Sequence, residues 1–328
     1  MKYRAFGKTG LEVSEIILGA GNVSGLYTGE DAETQRQLLK QALEGGINWI
    51  DTAFRYGKGK SEEALGELLP EIDADPYIST KVGIEPDELD DIPGAIERAL
   101  HGSLKRLRRE SVDLFQLHNR IGSKVDGRLL TVEHVLGKGG VAEGMKRMQE
   151  QGLTKFTGIT ALGETPCVRK VIESGTFDSA QVYCNMLNPS AGLQMPPAWS
   201  GQDFDNLIGV CTKNNVAVIV IRSFAAGVLA TDQRHGRESM ITANTDLDTE
   251  LQKAQAVFEV LGDEHGTRAQ TAVRFALSNP DIACIDVGVA DSDQLDQALG
   301  AVEKGPLPIS ALEQLGSLYK TNFGLNTP

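Results

Sequence analysis

Short apolar, β-branched runs recur along the chain, and each is followed by a segment whose apolar residues have helical spacing. Eight such runs are present: Glu15–Gly21, Ile47–Ala53, Tyr77–Gly83, Val112–His118, Phe156–Leu162, Ser179–Asn185, Val216–Ser223 and Ile282–Val289. Strands that are apolar throughout and alternate with helices are typical of a parallel sheet covered on its outer face. The pattern therefore predicts an α/β protein.

The segments between these runs carry helix start and stop signals. Asp31, for example, precedes an apolar-periodic segment that ends at Gly45 and Gly46. The predicted helices are Ala32–Glu44, Ser61–Leu69, Pro93–Leu107, Glu143–Gln151, Thr165–Ser174, Asp203–Asn214, Asp248–Asn279 with an interruption near Gly266, and Asp291–Glu303.

Eight strand–helix units favour a closed (β/α)8 TIM barrel over an open doubly wound sheet. The open fold would present G-x-G-x-x-G after its first strand, whereas the residues from Gly19 to Asn22 lack the third glycine. Residues Tyr3–Val13 alternate around a glycine-containing turn and predict a β-hairpin that plugs the bottom of the barrel. We expect residues 1–328 to form a single barrel domain.

Three connections from a strand to the next helix are long: His118–Glu143, Asn185–Asp203 and Ser223–Asp248. In a barrel all three emerge at the carboxyl face, where active sites lie. Met195 and Trp199 add apolar bulk to the second connection. These loops either form a substrate wall or pack on the protein's own scaffold, and the sequence favours neither.

The charge of the chain excludes some classes of partner. Lys+Arg total 32 against 45 Asp+Glu, a formal net charge of -13, which works against general binding to nucleic acid or anionic membrane. No apolar stretch approaches the roughly 18 residues of a membrane span, and the N-terminus lacks a signal-peptide core. We therefore expect a cytoplasmic, soluble protein.

The four cysteines, Cys167, Cys184, Cys211 and Cys284, show no C-x-x-C spacing and are expected to be buried thiols.

Polar residues stand at the carboxyl ends of the second, third and fourth predicted strands: Asp51 with Tyr56 just beyond it, Lys81, and His118. A tyrosine is a poor acid near neutrality, but a nearby ammonium lowers its pKa and a carboxylate keeps that ammonium charged. His118 is suited to orient a carbonyl or alcohol by a hydrogen bond. The set predicts proton transfer to a carbonyl oxygen whose carbon accepts a hydride.

At these residues the sequence resembles the aldo-keto reductase superfamily over nearly its whole length. The most specific strings are D-T-A-x-x-Y-G at Asp51–Gly57 and S-E-x-x-L-G at Ser61–Gly66, with ISTKVG, QLHN, GIT and VGVADSDQL further on. The resemblance implies that Tyr56 is the general acid/base, that Lys81 and Asp51 tune it, and that His118 orients the substrate. QLHN and GIT are most similar to the sugar-oxidising branch, which contains galactose and aldose dehydrogenases.

The resemblance also implies that NAD(P)H lies extended across the barrel mouth. The matching cofactor positions are Gly21, Thr160, Gln181, Arg222, Ser223, Phe224, Ala225, Gly227, Gly288, Asp291 and Gln294. Thr160 and Gln181 match positions that hold the nicotinamide carboxamide, but Ala161 replaces the usual asparagine. Arg222 replaces a stacking aromatic, so it either stacks through its guanidinium or binds a substrate anion.

Residues Ser223 to Gly227 resemble the strip that contacts the pyrophosphate, and Gly288 to Leu295 resemble the segment around the adenosine end. The second segment contains Asp291 and no lysine or arginine. We therefore expect NAD(H) to be preferred, with NADP(H) as the alternative. Asp291 either repels a 2′-phosphate or only caps the following helix, and in the second case Lys253 or Arg268 is a candidate for selectivity.

Three function classes follow. The first is a nicotinamide-dependent oxidoreductase for a small aldehyde, ketone or aldose, and the second is a regulatory or binding subunit that keeps the same barrel. The third, a metal-dependent hydrolase, needs His and carboxylate ligands on several strand ends, and only His118 and Asp51 qualify. The other histidines, His101, His134, His235 and His265, show no ligand spacing, so no metal site is predicted. The expected partner is a small molecule, and nothing in the sequence predicts an oligomeric state.

Overall fold

The structure is a computed structural model that describes residues 1–22, 24–29, 31–234, 236 and 238–325. The chain opens with an antiparallel hairpin of β1 (Tyr3–Ala5) and β2 (Glu12–Ser14). Phe6 in the turn packs 4.9 Å from Trp49, measured between ring centroids. It belongs to an apolar cluster formed by residues near the amino ends of the barrel strands. The hairpin therefore covers the bottom of the barrel, as the sequence predicts.

The barrel consists of eight parallel strands that close on themselves. It begins with β3 (Ile16–Gly19), β4 (Trp49–Asp51), β5 (Tyr77–Val82) and β6 (Val112–Leu117). Two short strands, β7 (Arg120–Gly122) and β8 (Leu129–Thr131), pair with each other in the connection after β6. The barrel continues with β9 (Thr154–Thr160), β10 (Ser179–Tyr183), β11 (Ala217–Ile221) and β12 (Cys284–Gly288). Pairing of β12 with β3 closes it, which confirms the predicted TIM barrel.

Helices cover the outside of the barrel. They are α1 (Ala32–Glu44), α2 (Lys60–Glu71), α3 (Ile92–Leu107), α4 (Val132–Leu136), α5 (Val141–Glu150), α6 (Thr165–Glu173), α7 (Leu207–Lys213), α8 (Leu247–Leu261), α9 (Arg268–Leu277), α10 (Ser292–Lys304) and α11 (Ile309–Lys320). In the part of the chain that the structure describes, no helix is long and apolar enough to cross a membrane.

The helix predictions need correction at one boundary and at two helices that were not expected, α4 and α11. The helix expected over Asp203–Asn214 begins only at Leu207, because Asp205 and Asn206 have φ of 47° and 52°, in the left-handed region that ends a right-handed helix. α11 is absent from the predicted set, although its buried residues Ala311, Leu315 and Tyr319 recur every fourth residue. The predicted interruption near Gly266 is confirmed, since α8 and α9 are separate helices.

The second long connection packs on the protein's own scaffold at its aromatic residue. The Trp199 ring lies 6.1 Å from the ring of Phe323, which follows α11, and the Lys253 ammonium of α8 lies 5.6 Å from the Trp199 ring centroid. Lys253 itself is buried and forms an ion pair with Glu250 at 3.1 Å. The buried pair and the two rings therefore hold this loop against the C-terminal part of the chain.

Candidate active site

A buried ion pair forms the base of the site at the barrel mouth. Lys81, near the end of β5, donates from Nζ to Oδ2 of Asp51, the last residue of β4, and to the Thr52 carbonyl at 2.9 Å. Oδ1 of Asp51 accepts three further hydrogen bonds: from Ser79 at 2.6 Å, Gln181 at 3.1 Å and Gln116 at 3.2 Å. Four side-chain donors therefore fix the orientation of this carboxylate.

The Tyr56 hydroxyl accepts a hydrogen bond from Lys81 Nζ at 3.1 Å, and the ammonium lies 4.8 Å from the ring centroid. Burial raises the pKa of Tyr56, while the charge of Lys81 opposes that rise. Burial also disfavours the charge on Lys81, but Asp51 and other neighbours outweigh it, so the Lys81 pKa is raised. Lys81 is therefore an ammonium and Tyr56 a neutral phenol near pH 7, which suits Tyr56 to donate a proton.

His118 follows β6 and packs edge-on against Tyr56, with ring centroids 5.7 Å apart and ring planes at 89°. Burial, and secondarily the charge of Lys81, lowers the His118 pKa to about 3. Its Nδ1 is buried and has no hydrogen-bond partner in the part of the chain that the structure describes. A neutral imidazole with unused hydrogen-bonding capacity is suited to orient a substrate oxygen.

The structure thus brings the four residues expected from the sequence into one cluster, and it adds two that the sequence analysis missed. Ser79 stands two residues before Lys81 on β5, and Gln116 on β6 stands two residues before His118, which directly follows that strand. Side chains two apart point to the same face of a strand, so both share the barrel interior with their neighbours. Polar residues at this spacing in otherwise apolar strands were the signal that could have found them.

Two of the expected cofactor positions carry unused polar atoms. Oγ1 of Thr160, at the end of β9, and Oγ of Ser223 are buried without a hydrogen-bond partner among the described residues. Buried polar groups without a protein partner are rare, so these hydroxyls fit a polar ligand such as a carboxamide or a pyrophosphate. Gln181 differs, because its amide nitrogen is already directed at Asp51. Gly21 lies beside the reacting ring, since a Cβ there would be 3.6 Å from Tyr56 Cζ.

The turn after β11 holds an unusual backbone. Arg222, Ala225 and Ala226 have φ of 61°, 46° and 58°, in the left-handed region that non-glycine residues rarely adopt, and they are followed by Gly227 at 99°. The Asn185 amide donates to the Arg222 carbonyl at 2.9 Å, and the Arg222 guanidinium donates to the Ser239 carbonyl at 2.9 Å. Strained backbone of this kind is concentrated at binding and catalytic sites.

The segment expected at the adenosine end forms a helix cap. Asp291 precedes α10, and its Oδ1 accepts from the Gln294 backbone N–H at 2.9 Å. Its Oδ2 accepts from the Gln294 side-chain amide nitrogen at 2.8 Å, and the Gln294 side-chain Oε1 accepts from the Ala290 N–H at 3.0 Å. Asp291 therefore has the capping role that the sequence left open. Gly288, the last residue of β12, is exposed.

The remaining histidines, the cysteines and the possible metal ligands were the other candidates for a functional site. Within the described ranges, no three His, Cys, Asp or Glu side chains are grouped so as to hold a metal ion. His235 lies outside the described residues. The four cysteines are buried and unpaired, as expected.

Comparisons with known proteins agree with this arrangement. The Aldo/keto reductase family matches residues 15–320. The chain is similar to L-galactose dehydrogenase from Arabidopsis thaliana, with 26% identity over 98% of this chain and 92% of that protein. It is also similar to a probable voltage-gated potassium channel subunit beta from the same plant, with 25% identity over 94% of this chain and 93% of the relative. Among solved structures, the fold matches the holo form of aldo-keto reductase AKR11C1 from Bacillus halodurans with a TM-score of 0.76, at 23% identity over 98% and 97% of the two chains. On the extent of the family match, this chain belongs to the aldo/keto reductase family of oxidoreductases.

Proposed function

We propose that this chain transfers a hydride between a nicotinamide cofactor and a small aldehyde, ketone or aldose, with Tyr56 as the general acid/base. One observation carries the proposal: the buried Lys81 ammonium contacts the Tyr56 hydroxyl at 3.1 Å while it is paired with Asp51. Members of the family bind nicotinamide cofactors and act on small carbonyl substrates.

A nicotinamide cofactor, when bound, would supply or accept the hydride at the substrate carbon. In carbonyl reduction, the Tyr56 O–H proton passes to the substrate oxygen, and Lys81 stabilises the phenolate that remains. Asp51 keeps Lys81 charged, and His118 orients the substrate oxygen. Thr160 and Ser223, whose hydroxyls have no partner among the described residues, would hold polar groups of the cofactor.

The similarity to L-galactose dehydrogenase supports an aldose as the substrate. The test is a panel of aldehydes, ketones and aldoses assayed with NAD(H) and NADP(H), with the reduced nicotinamide followed by absorbance. We expect multiple turnovers with at least one aldose. A folded protein that turns over no carbonyl or sugar with either cofactor overturns the proposal.

A binding subunit is the second candidate, because the chain also resembles a probable potassium channel subunit beta along most of its length. Such a subunit would bind the cofactor and leave every substrate of the panel unchanged. Cofactor titration together with the turnover assay separates the two functions. The expected cytoplasmic location stays a prediction.

We expect the protein to prefer NAD(H) over NADP(H) by about tenfold in kcat/KM. Asp291 lies at the expected adenosine end, and no lysine or arginine stands in residues 288–295. Two like charges about 5 Å apart repel by roughly 3 kcal/mol at an effective dielectric near 20. Solvent and salt reduce this to about 1–2 kcal/mol at an exposed site, which corresponds to about a tenfold preference. Of the two other candidates for selectivity, Lys253 is buried beside Glu250, and the Arg268 guanidinium lies 4.8 Å from the Phe258 ring centroid.

The measurement is kcat/KM for both cofactors at fixed ionic strength, in the wild type, Asp291→Ser and Asp293→Ser. Asp293 lies in the first turn of the same helix without capping it, so it controls for the general charge of that turn. We expect only Asp291→Ser to reduce the preference for NAD(H). A wild type that prefers NADP(H) contradicts the charge argument, and an unchanged ratio in Asp291→Ser restricts Asp291 to its capping role.

A further prediction concerns Arg222, which directly follows β11. If its guanidinium stacks on the nicotinamide, Arg222→Tyr preserves cofactor affinity, and Arg222→Ala weakens it by about 1 kcal/mol, the scale of an exposed cation–π contact. Titration of both variants with the cofactor measures the change in Kd. An unchanged Kd in Arg222→Ala, with a raised KM for anionic substrates only, shows instead that Arg222 binds a substrate anion.

A further inference from the structure

A second carboxyl group, that of Asp286 on β12, lies beside Asp51 at the barrel mouth. β12, β3 and β4 are neighbouring strands, and Gly19 of β3 is paired with Gly288 on one side and with Asp51 on the other. A Cβ built at Gly19 would stand 2.2 Å from Oδ1 of Asp286. The absence of a side chain at Gly19 therefore leaves the space that the Asp286 carboxyl occupies, next to the strand that ends in Asp51.

The hydrogen-bond donors around this pair are directed at Asp51. Its two oxygens accept from Lys81, Ser79, Gln116 and Gln181. Oδ1 of Asp286, in contrast, is buried and has no donor within the ranges that the structure describes. Two ionised carboxylates in contact repel each other, whereas a protonated carboxyl donates a hydrogen bond to its ionised neighbour. Protonation of Asp286 removes this repulsion and turns its carboxyl into a donor toward Asp51.

We propose that Asp286 is a positioning residue of this site, which as a neutral carboxylic acid donates a hydrogen bond to Asp51 and holds that carboxylate against Lys81. The inference rests on the proposed function, because the role given to Asp286 is to keep Lys81 beside the hydroxyl of Tyr56. Neither the expected catalytic set nor the expected cofactor set contains Asp286.

The electrostatics of the pocket agree with this geometry. Burial raises the pKa of Asp286 well above its ordinary value, and the charge of Asp51 raises it further, while Lys81 opposes the rise. The other titratable groups that face it are Tyr56 and, on its own strand, Cys284. An ionised Asp286 raises the pKa of Tyr56 and makes it a weaker acid. Loss of the Asp286 proton as the pH rises is therefore expected to slow carbonyl reduction.

The first test needs no substrate. The infrared difference spectrum between the wild type and Asp286→Asn at pH 7 is expected to contain the C=O band of a protonated carboxylic acid. Asp113→Asn is the matched control, because Asp113 is also buried but accepts from the Ile78 N–H and from Lys155, each at 2.8 Å. A difference spectrum for Asp286→Asn that contains only ionised carboxylate bands overturns the proposal.

The second test measures the positioning role. Asp286→Ala is expected to lower kcat by about tenfold, less than the 10²–10⁴-fold typical of a group that itself transfers the proton. Asp286→Asn keeps an N–H donor, so it should recover much of that loss, and the alkaline decline of the wild-type pH profile should be weaker in it. Equal kcat in the alanine and asparagine variants, or an unchanged pH profile, contradicts the inference.

Gly19→Ala tests the same contact from the other side, because the added methyl group displaces the Asp286 carboxyl and changes no titratable group. We expect it to reproduce the loss seen in Asp286→Ala, and the double variant to lose little more than either single one. Additive losses show that the two residues act separately and overturn the proposal. If the wild type has no turnover, the proposed function fails, and the infrared band still decides the protonation of Asp286.

Discussion

Tyr56→Phe is expected to lower kcat by about a hundredfold or more, while the Kd of the cofactor stays within a few-fold of the wild type. The variant removes the hydroxyl that accepts from Lys81 and leaves the ring packed against His118. General acid–base catalysis contributes typically 10²–10⁴-fold, or about 3–5 kcal/mol of barrier. Steady-state kinetics and cofactor titration of the same preparation measure both quantities.

Tyr77→Phe is the matched control for this variant. Tyr77 begins β5, the strand that carries Lys81, but it lies at the amino end of the barrel, where its ring contacts Trp49. We expect its kcat to equal that of the wild type. A folded Tyr56→Phe protein with near wild-type turnover would show that another group supplies the proton.

Lys81→Met is expected to lower kcat by about as much as Tyr56→Phe does, but by a different mechanism. It removes the charge that opposes the rise of the Tyr56 pKa on burial, so Tyr56 becomes a weaker acid. In the alcohol-oxidation direction, where the phenolate is the base, the ascending limb of the pH–rate profile should move to higher pH. The measurement is kcat/KM against pH in both directions.

The same variant leaves Asp51 buried without its cation, which typically costs about 3–5 kcal/mol of folding free energy. Lys253→Met provides the comparison, because Lys253 is an equally buried lysine paired with Glu250 outside the Asp51–Tyr56 cluster. Both variants should lose stability in urea titrations, but only Lys81→Met should lose kcat. An unchanged rate and pH profile in Lys81→Met rules out the coupling between Lys81 and Tyr56.

Local patterns predicted most of the barrel. The eight apolar runs became its eight strands, and Asp31 caps α1 by accepting from the Thr34 N–H at 3.0 Å. Three of the elements that were not predicted have a local cause as well. β7, β8 and α4 are only three to five residues long, too short for periodicity to distinguish them from a loop.

The sequence likewise predicted some residues of the site and not others. Asp51, Lys81 and His118 end consecutive predicted strands, and the carboxyl ends of parallel strands meet at one face, so their proximity followed from order in the chain. The sequence analysis did not identify Asp286 as a site residue. Its position at the site depends on Gly19 of the adjacent strand, which lies more than 260 residues earlier in the sequence. A closed barrel makes the first and last strands neighbours, and no local pattern contains that pairing.

The sequence by itself determined the alternation of strands and helices, the parallel barrel and the four polar residues at its mouth. Each depends on the spacing of residues within a segment or on the order of segments. Tertiary structure alone decided the electrostatics and hydrogen bonding of the site: the lowered pKa of His118, the four donors on Asp51 and the position of the Asp286 carboxyl beside Gly19. The physical reason is that pKa values and hydrogen-bond partners depend on burial and on distances between groups far apart in the chain, which closure of the barrel brings together.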